Sequence, residues 1–207
     1  MALCHDASMY DSSTTSAAIV AGGSARRFAG QDKSRLLVEG RSIIVRQVAL
    51  LQRVAHEVLI LAADASRYSD IGLAVHPDRL PGLGAIGGIY TALCVAAGPR
   101  VLTIACDLPF LETGLLQALA ERSEGFDGAW VRTGRGPEPL LACYRTSARD
   151  RVRGQIEADQ LKAADLGTVL QMAEIDEAHL AEFGDVDRLL ANINTPEDYA
   201  RVQYRRS

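Results

Sequence analysis

Lysine is scarce in this chain. Of its 22 basic residues 20 are arginines, and only Lys33 and Lys162 are lysines. Aromatic residues make up only 5% of the chain, which argues against the base-stacking surfaces that bind single-stranded nucleic acid. The net charge of −4 gives no general attraction to nucleic acid either. No apolar run approaches the roughly 18–20 residues that a membrane-spanning helix needs, so we expect no membrane partner.

Cysteine and histidine are also few, and their spacing excludes the common metal and disulfide frameworks. The four cysteines form no C-x-x-C pair, and the four histidines are scattered. Free thiols in a reducing, cytoplasmic setting are therefore expected. Residues 1–16 are polar and lack the basic start and apolar segment of a signal peptide, which predicts a disordered tail. The remaining residues 17–207 are predicted to form one domain.

Apolar runs of strand length alternate with helical patterns. The predicted strands are Ala17–Ala21, Glu57–Ala62, Leu73–Val75, Val101–Ala105 and Ala129–Arg132. The predicted helices are Ser42–Val54, which Ser42 could cap, and Ile86–Ala97. This alternation predicts an α/β fold: a three-layer α/β/α arrangement around a mostly parallel, Rossmann-like sheet. The stretch from Asp159 to Phe183 gives no clear pattern.

A glycine-rich loop ends the first predicted strand. The sequence Val20-Ala21-Gly22-Gly23 is followed by Arg27 and by Lys33. Glycines let backbone N–H groups turn toward one anion, and the cations that follow suit a triphosphate. The spacing fits neither the P-loop nor the dinucleotide-binding fingerprint. The loop indicates a nucleotide-phosphate site, with an ordinary glycine turn as the alternative.

Two further segments follow predicted strands. Asp107, in Cys106-Asp107-Leu108-Pro109-Phe110, comes directly after one strand, where a carboxylate suits Mg²⁺. The alternative is that Asp107 caps a helix beginning near Leu111. Asp78 precedes the glycine-rich segment 84–88, whose simpler explanation is close packing of a helix on the sheet.

Two segments in the second half of the chain complete the pattern. Pro137–Tyr144 contains Pro-Glu-Pro-Leu before a predicted strand. Asn192-Ile193-Asn194-Thr195-Pro196 is followed by two acidic residues, and Thr195 can cap a helix that begins at Pro196. In an extended segment, Asn192 and Asn194 would point the same way.

These five segments, in this order, resemble the motifs of the nucleotidyltransferases, and most closely those of the molybdenum cofactor guanylyltransferase family. The resemblance covers nearly all of the chain beyond the tail. It implies transfer of GMP from GTP to the phosphate of molybdopterin (the molybdenum cofactor), with an apo-molybdoenzyme or its chaperone as a further partner. It also implies Mg²⁺ as the cofactor, held by Asp107.

The resemblance assigns roles to individual residues. The implied catalytic residues are Arg27, Lys33 and Asp107. The implied GTP-binding residues are Val20, Ala21, Gly22, Gly23, Lys33, Asp78, Gly84 and Asp107. The implied acceptor-binding residues are Pro139, Asn192 and Asn194. Gly22 favours a purine, because cytidylyltransferases acting on the same cofactor have alanine there.

The chain departs from the family pattern at a few positions. Ala85 replaces a proline, and Phe28-Ala29 replaces Met-Gly. Where an asparagine commonly approaches the nucleotide this chain has Leu61-Ala62-Ala63-Asp64, so either Asp64 replaces that contact or the contact is missing. The alternatives are a cytidylyltransferase, a sugar-phosphate nucleotidyltransferase and a non-catalytic nucleotide- or cofactor-binding protein.

Overall fold

Strands that are apolar on both faces form the centre of the molecule. In the computed structural model, which describes residues 12–21 and 32–204, seven strands form one sheet in the order β5-β4-β1-β6-β8-β7-β9. These strands are β1 (Thr15–Val20), β4 (Glu57–Leu61), β5 (Ala74–His76), β6 (Arg100–Ala105), β7 (Gly128–Thr133), β8 (Gly136–Arg145) and β9 (Met172–Ile175). A separate hairpin pairs β2 (Leu37–Val38) with β3 (Arg41–Ser42).

Helices connect the strands. They are α1 (Ile43–Leu51), α2 (Gly84–Val95), α3 (Thr113–Arg122), α4 (Arg149–Glu157), α5 (Glu177–Leu180), α6 (Val186–Leu189) and α7 (Pro196–Tyr204). Short 3₁₀ turns at Lys33–Arg35 and Ala65–Tyr68 follow β1 and β4 along the chain.

The sheet is mostly parallel, as predicted. β1 pairs in parallel with β4 and β6, β4 with β5, and β7 with β9, whereas β8 runs antiparallel to both of its neighbours. From β1 the chain builds outward to β4 and β5, and then returns to place β6 on the other side of β1. The order of strands therefore reverses between β1 and β6, and ligands of open α/β sheets bind beyond such a switch point.

The two faces of the sheet bury separate cores. On one face Ala17 and Ile19 of β1 lie in a cluster with residues of α1 and α3. On the other, Ala18 and Val20 lie in a cluster with residues of α2 and α4. Successive side chains of a strand point to opposite faces, so a strand buried on both sides is apolar throughout. The predicted three-layer arrangement is confirmed.

A third, smaller core lies beside the sheet. We call Leu36, Val38, Ile43, Phe110 and Ile193 the satellite core. These residues come from the hairpin and α1 after Lys33, from the loop after β6, and from the segment before α7. The hydroxyl of Tyr199 on α7 donates a 2.9 Å hydrogen bond to the carbonyl oxygen of Leu37. The satellite core thus joins three segments that are distant in sequence.

Some sequence-based boundaries differ from the structure. β1 begins at Thr15, so Thr15 and Ser16, assigned by the sequence to the tail, are fully buried in the sheet. Residues 1–11 lie outside the described part of the chain, and the single domain over 17–207 stays a prediction. Ser42 occupies the N-cap position of α1, but its side chain makes no capping hydrogen bond.

The stretch 159–183, which the sequence left unassigned, contains β9 and α5. β9 adds an edge strand to the sheet. Among residues 12–21 and 32–204, no helix has both the length and the apolar character needed to cross a membrane.

Candidate functional site

A cleft opens at the carboxyl ends of β1 and β6, beside the switch point. It is lined by Val20, Ala21, Asp32, Lys33, Arg67, Asp78, Gly84, Ala85, Ala105, Cys106, Asp107 and Leu140. Val20, Ala21, Lys33, Asp78, Gly84 and Asp107, which the sequence assigned to nucleotide binding, are among these residues. The fold therefore brings the predicted residues together in one cavity, although Val20 and Asp107 are 87 positions apart.

Lys33 is held at the start of a short 3₁₀ turn. The Asp32 carboxylate caps this turn by accepting hydrogen bonds from the Ser34 amide at 3.0 Å and the Ser34 hydroxyl at 2.8 Å. The hydroxyl of buried Tyr68 donates to the other Asp32 oxygen at 2.7 Å. The Lys33 ammonium in turn donates to Asn194 Oδ1 at 2.7 Å. Sequence reasoning missed the capping role of Asp32, although an Asp before a short turn is a recognisable signal.

Asp107 lies in the turn that directly follows β6. Burial raises the pKa of its carboxyl above the ordinary value, and the positive charge of Lys33 partly offsets this rise. α3 begins at Thr113 with Glu112 at its N-cap position, so Asp107 does not cap a helix. The capping alternative is wrong, and the carboxylate faces the cleft instead.

The segment before α7 joins this cleft to a second cavity. Thr195 caps α7 as predicted: its hydroxyl accepts from the Asp198 amide at 3.2 Å, and the Asp198 carboxylate accepts from the Thr195 amide at 2.9 Å. Ile193 is buried, and its amide donates to the Asp107 carbonyl oxygen at 3.0 Å. Asn194 contacts Lys33, whereas Asn192 lines the second cavity, so the expectation that the two asparagines point the same way is wrong.

The second cavity lies on the other side of the Asp107 turn. It is lined by Leu108, Arg135, Glu138, Leu141, Leu190 and Asn192. Burial raises the pKa of the Glu138 carboxyl, the nearby Asp107 charge raises it further, and Arg135 opposes the shift. An anionic and a cationic side chain thus face one small cavity beside Asp107.

An irregularity in β8 explains how this region is shaped. Val131 pairs with Glu138 and Trp130 with Ala142, so residues 139–141 have no partner on β7. An irregularity of this kind is a bulge, and bulges redirect side chains near binding sites. Proline lacks an N–H donor, so Pro139 could not donate a hydrogen bond to a neighbouring strand. Of the residues around Pro139, Glu138 and Leu141 line the second cavity and Leu140 lines the cleft. Pro139 itself lines neither of them: its carbonyl accepts from the Tyr144 hydroxyl at 2.9 Å.

The segment 84–88 has two roles. Gly84 begins α2 and has a left-handed φ of +62°, which favours glycine, and it lines the cleft. A Cβ at Gly88 would lie only 2.7 Å from Val20 Cγ1, so Gly88 permits α2 to pack closely on β1. The packing explanation holds for Gly88, and the cleft explanation fits Gly84. Burial raises the pKa of the nearby Asp78 carboxyl.

Asp64 does not reach the cleft. It is exposed, and its carboxylate accepts from the Ser66 amide at 3.0 Å and hydroxyl at 2.6 Å, which caps the turn Ala65–Tyr68. The idea that Asp64 replaces the missing asparagine is therefore wrong. Arg67, from the same turn, lines the cleft instead, and nothing in the sequence singled it out.

Two of the cysteine thiols, those of Cys106 and Cys143, are kept protonated at neutral pH by burial. Burial raises the pKa of Cys106, which lines the cleft, and of Cys143 to about 12. A thiol is a nucleophile only as thiolate. Cys94, Cys106 and Cys143 are free, as predicted, and Cys4 lies outside the described residues.

The carboxylates of the cleft fit a cation that arrives with phosphate groups. Within the described ranges, no three His, Cys, Asp or Glu side chains are grouped to cage a metal ion. Mg²⁺ commonly takes only one or two protein carboxylates and keeps water and phosphate oxygens as its other ligands. Asp107, whose carboxylate lines the cleft directly after β6, suits that mode of binding. The predicted site residues Gly22, Gly23 and Arg27 lie outside the described residues.

Comparison with known proteins matches residues 17–174 to the MobA-like NTP transferase domain. The probable molybdenum cofactor guanylyltransferase of Pelotomaculum thermopropionicum is 35% identical over 186 residues, covering 89% of this chain and 90% of that protein. A probable molybdenum cofactor guanylyltransferase of Chloroflexus aggregans is also 35% identical, over 191 residues, covering 89% and 91% of the two chains.

The fold has solved counterparts as well. The crystal structure of molybdopterin-guanine dinucleotide biosynthesis protein A from Archaeoglobus fulgidus aligns with a TM-score of 0.77 at 25% identity, covering 90% of this chain and 96% of that one. Both the sequence match and the shared sheet extend across the elements that form the cleft. The chain belongs to the MobA-like NTP transferase family.

Proposed function

We propose that this protein transfers a guanylyl group from GTP to the phosphate of molybdopterin, the molybdenum cofactor, and releases pyrophosphate. The observation that carries the proposal is that the cation Lys33 and the partly buried carboxylate of Asp107 line the same cleft at the switch point of the sheet. The names of the relatives, which are 35% identical, support guanylyl transfer and this acceptor.

In the proposed reaction an oxygen of the acceptor phosphate attacks the α-phosphorus of GTP. The bond between that phosphorus and the oxygen bridging to the β-phosphate breaks, and pyrophosphate leaves with the electron pair. Such transfer depends on positioning and charge neutralisation rather than on a protein nucleophile. The raised pKa of Cys106 agrees with this, since its thiol is protonated at neutral pH.

Lys33 neutralises negative charge on the departing phosphates, and its hydrogen bond to Asn194 fixes the ammonium before substrate binds. The first turn of α2, at Gly84 and Ala85, faces the cleft and offers backbone N–H groups to anionic oxygens. The glycine loop with Gly22, Gly23 and Arg27 is proposed to complete this phosphate site.

Asp107 is proposed to hold Mg²⁺, which supplies positive charge to the triphosphate when bound. Asp78 is proposed to accept hydrogen bonds from the guanine base, because its half-buried carboxylate lines the cleft near Gly84. Arg67 adds a second cation to the cleft.

The acceptor is proposed to occupy the second cavity. Arg135 offers a cation to the acceptor phosphate, while Glu138 and Asn192 offer hydrogen-bonding groups to the ring N–H donors of a pterin. The cavity adjoins the Asp107 turn through Leu108, so an acceptor phosphate there lies beside the nucleotide cleft.

The test is Mg²⁺-dependent pyrophosphate release with molybdopterin as acceptor, with GTP, CTP and ATP compared at equal concentration. We expect turnover with GTP and at most slow turnover with the other two. Turnover with CTP alone would overturn the choice of base but not the chemistry. GTP binding without pyrophosphate release would instead favour a binding protein.

A further inference from the structure

The side chain of Gln47, on α1, closes over the turn that carries Asp107. It is only 2% exposed. Its Nε2 donates to the carbonyl oxygen of Ala105 at 2.8 Å and to that of Leu108 at 3.0 Å. These two carbonyls bracket Cys106 and Asp107, so one amide group holds both ends of the turn.

The rest of the turn is fixed by backbone groups. The Cys106 amide donates to the Val20 carbonyl at 3.3 Å, and the Asp107 carbonyl accepts from the Ile193 amide at 3.0 Å. Each of the four residues 105–108 therefore has a backbone polar group in a hydrogen bond to a segment distant in sequence. Gln47 supplies two of those four bonds, and the only ones from a side chain.

The core gains little from an amide at this position. Gln47 Oε1 is buried and has no hydrogen-bond partner among the described residues, which costs free energy that an apolar side chain of similar size would avoid. What an apolar side chain could not do is bind the two carbonyls of the Asp107 turn. The buried amide of Gln47 therefore stabilises the Asp107 turn rather than the core.

We infer that Gln47 is a positioning residue that holds the Asp107 carboxylate in place to bind a divalent cation. The inference rests on the proposed function, in which Asp107 is the metal ligand. Gln47 does not touch the cation: it acts through the backbone of the ligand's own turn. Groups that orient a metal ligand in this way typically change metal affinity by about 10–100-fold when they are removed.

Gln155 provides a matched control. It lies on α4 and is 3% exposed, and its Nε2 likewise donates to two loop carbonyls, those of Gln160 at 3.1 Å and Lys162 at 3.4 Å. Its Oε1 is also buried, and no group in the described part of the chain hydrogen-bonds to it. Gln155 lines neither the cleft nor the second cavity.

The experiment measures Mn²⁺ binding by electron paramagnetic resonance, with GTP present and no acceptor, for the full-length protein and the variants Gln47→Met, Gln155→Met and Asp107→Asn. Both glutamine variants should lose thermal stability, since each leaves two carbonyls without a donor. Only Gln47→Met and Asp107→Asn should weaken Mn²⁺ binding, Gln47→Met by about 10–100-fold.

The outcomes separate the inference from the proposed function. Weaker Mn²⁺ binding in Asp107→Asn but unchanged binding in Gln47→Met would overturn the inference alone. Unchanged binding in Asp107→Asn would remove the metal role of Asp107, and the inference with it. Equal weakening in Gln155→Met would mean that Gln47 acts only through general stability, which also overturns the inference.

Hydrogen exchange at the Cys106 amide provides a readout other than metal binding. This amide donates to the Val20 carbonyl, and Gln47 holds both ends of the turn in which it lies. In the nucleotide-free proteins its exchange should be faster in Gln47→Met than in Gln155→Met, and equal exchange in the two variants would contradict the inference.

Discussion

At the scale of single residues, the burial of the Asp107 carboxyl lowers the stability of the fold but favours the binding of a cation. Burial raises the pKa of its carboxyl, which means that the folded protein bears a cost for keeping it ionised at neutral pH. Burial also lowers the effective dielectric constant around the Asp107 carboxylate, so its charge attracts a cation more strongly than it would in water. The positive charge of Lys33 offsets part of this free-energy cost, and a bound cation would offset more of it.

Replacing Asp107 by asparagine should therefore separate the two properties. At pH 7 we expect the Asp107→Asn protein to have a higher Tm than the unmodified protein, with transfer slower by about 10²–10³-fold. As pH falls through the raised pKa toward 3.8, the usual value, the unmodified carboxyl becomes protonated in the folded state and the Tm difference should close. Thermal unfolding from pH 7 to pH 4 measures this. A Tm difference that widened toward low pH would contradict the assigned burial effect.

The two lysines of the chain offer a direct comparison of a site cation with a surface cation. Lys33→Met should slow pyrophosphate release by about 10²–10³-fold, because it removes a fixed charge at the leaving phosphates. Lys162→Met removes an exposed lysine that pairs with Asp165 at 3.5 Å, and should leave the rate unchanged. Steady-state rates for both variants measure the contrast. Equal rates would remove Lys33 from the mechanism.

Glu138 should affect the acceptor and not the nucleotide. In Glu138→Gln one acceptor oxygen is replaced by an N–H₂ donor, which mismatches the N–H donors of a pterin ring. We expect KM for molybdopterin to rise by about tenfold, equivalent to one lost charged hydrogen bond, with KM for GTP unchanged. The exposed Glu121→Gln on α3 is the control. A rise in KM for GTP instead would place Glu138 in the nucleotide site.

At the scale of elements, the contact between α2 and β1 determines the width of the cleft. Gly88 lets the helix approach Val20, and Val20 lines the cleft. The turn after β4 acts in a similar way: Arg35 pairs with Asp70 at 2.6 Å and lies 5.3 Å from the Tyr68 ring, so this turn is tied to the 3₁₀ turn of Lys33. These contacts between elements position the two cations of the cleft, Lys33 and Arg67, relative to one another.

The glycines in two helices allow the α2 contact to be tested. In Gly88→Ala the new Cβ would lie 2.7 Å from Val20 Cγ1, so the helix must shift, and we expect a loss of about 1–3 kcal/mol of stability and weaker GTP binding. Gly154→Ala on α4 meets nothing within 4 Å and should gain about 0.5–1 kcal/mol from helix propensity. Denaturant unfolding measures both. Unchanged stability of the Gly88→Ala protein would show that the contact between α2 and β1 can accommodate an additional Cβ.

At the scale of the whole molecule, the satellite core holds the three segments of the site in fixed positions relative to one another. Its five residues come from the segments that carry Lys33, Asp107 and Asn194. Because protein interiors are closely packed, a change in volume there moves all three segments together. Among the described residues, the core on the α1 and α3 face also includes Leu108 of the Asp107 segment, whereas the buried residues of the core on the α2 and α4 face come from none of the three segments.

A cavity in the satellite core should therefore lower both stability and rate. We expect Ile193→Ala to cost about 2–5 kcal/mol of stability and to lower kcat as well. Leu166→Ala, a fully buried residue in the core of the α2 and α4 face, should cost a similar amount and leave kcat unchanged for the folded fraction. Unfolding curves and active-site-normalised rates compare the two. Equal kcat values would show that the satellite core only adds stability.

The sequence was sufficient for the local features of this protein. Strand and helix positions near residues 17–21, 57–62 and 101–105 follow from apolar periodicity, which depends only on near neighbours. The Thr195 cap is equally local, because its partners lie within three residues. The motif residues Lys33, Asp78, Gly84 and Asp107 were also identified from the sequence, and the structure places them in one cleft.

Tertiary structure alone determined which residues hold these groups in place and which further residues line the cleft beside them. The Gln47 bonds span about 60 residues and Lys33 to Asn194 spans 161, and no local pattern encodes such pairs. Asp64 and Arg67 show the same limit: both lie in one polar turn, and only the direction of that turn sends Arg67 to the cleft and Asp64 to solvent. Sequence periodicity determines which face an element buries, whereas the contacts of its polar groups depend on packing between distant segments.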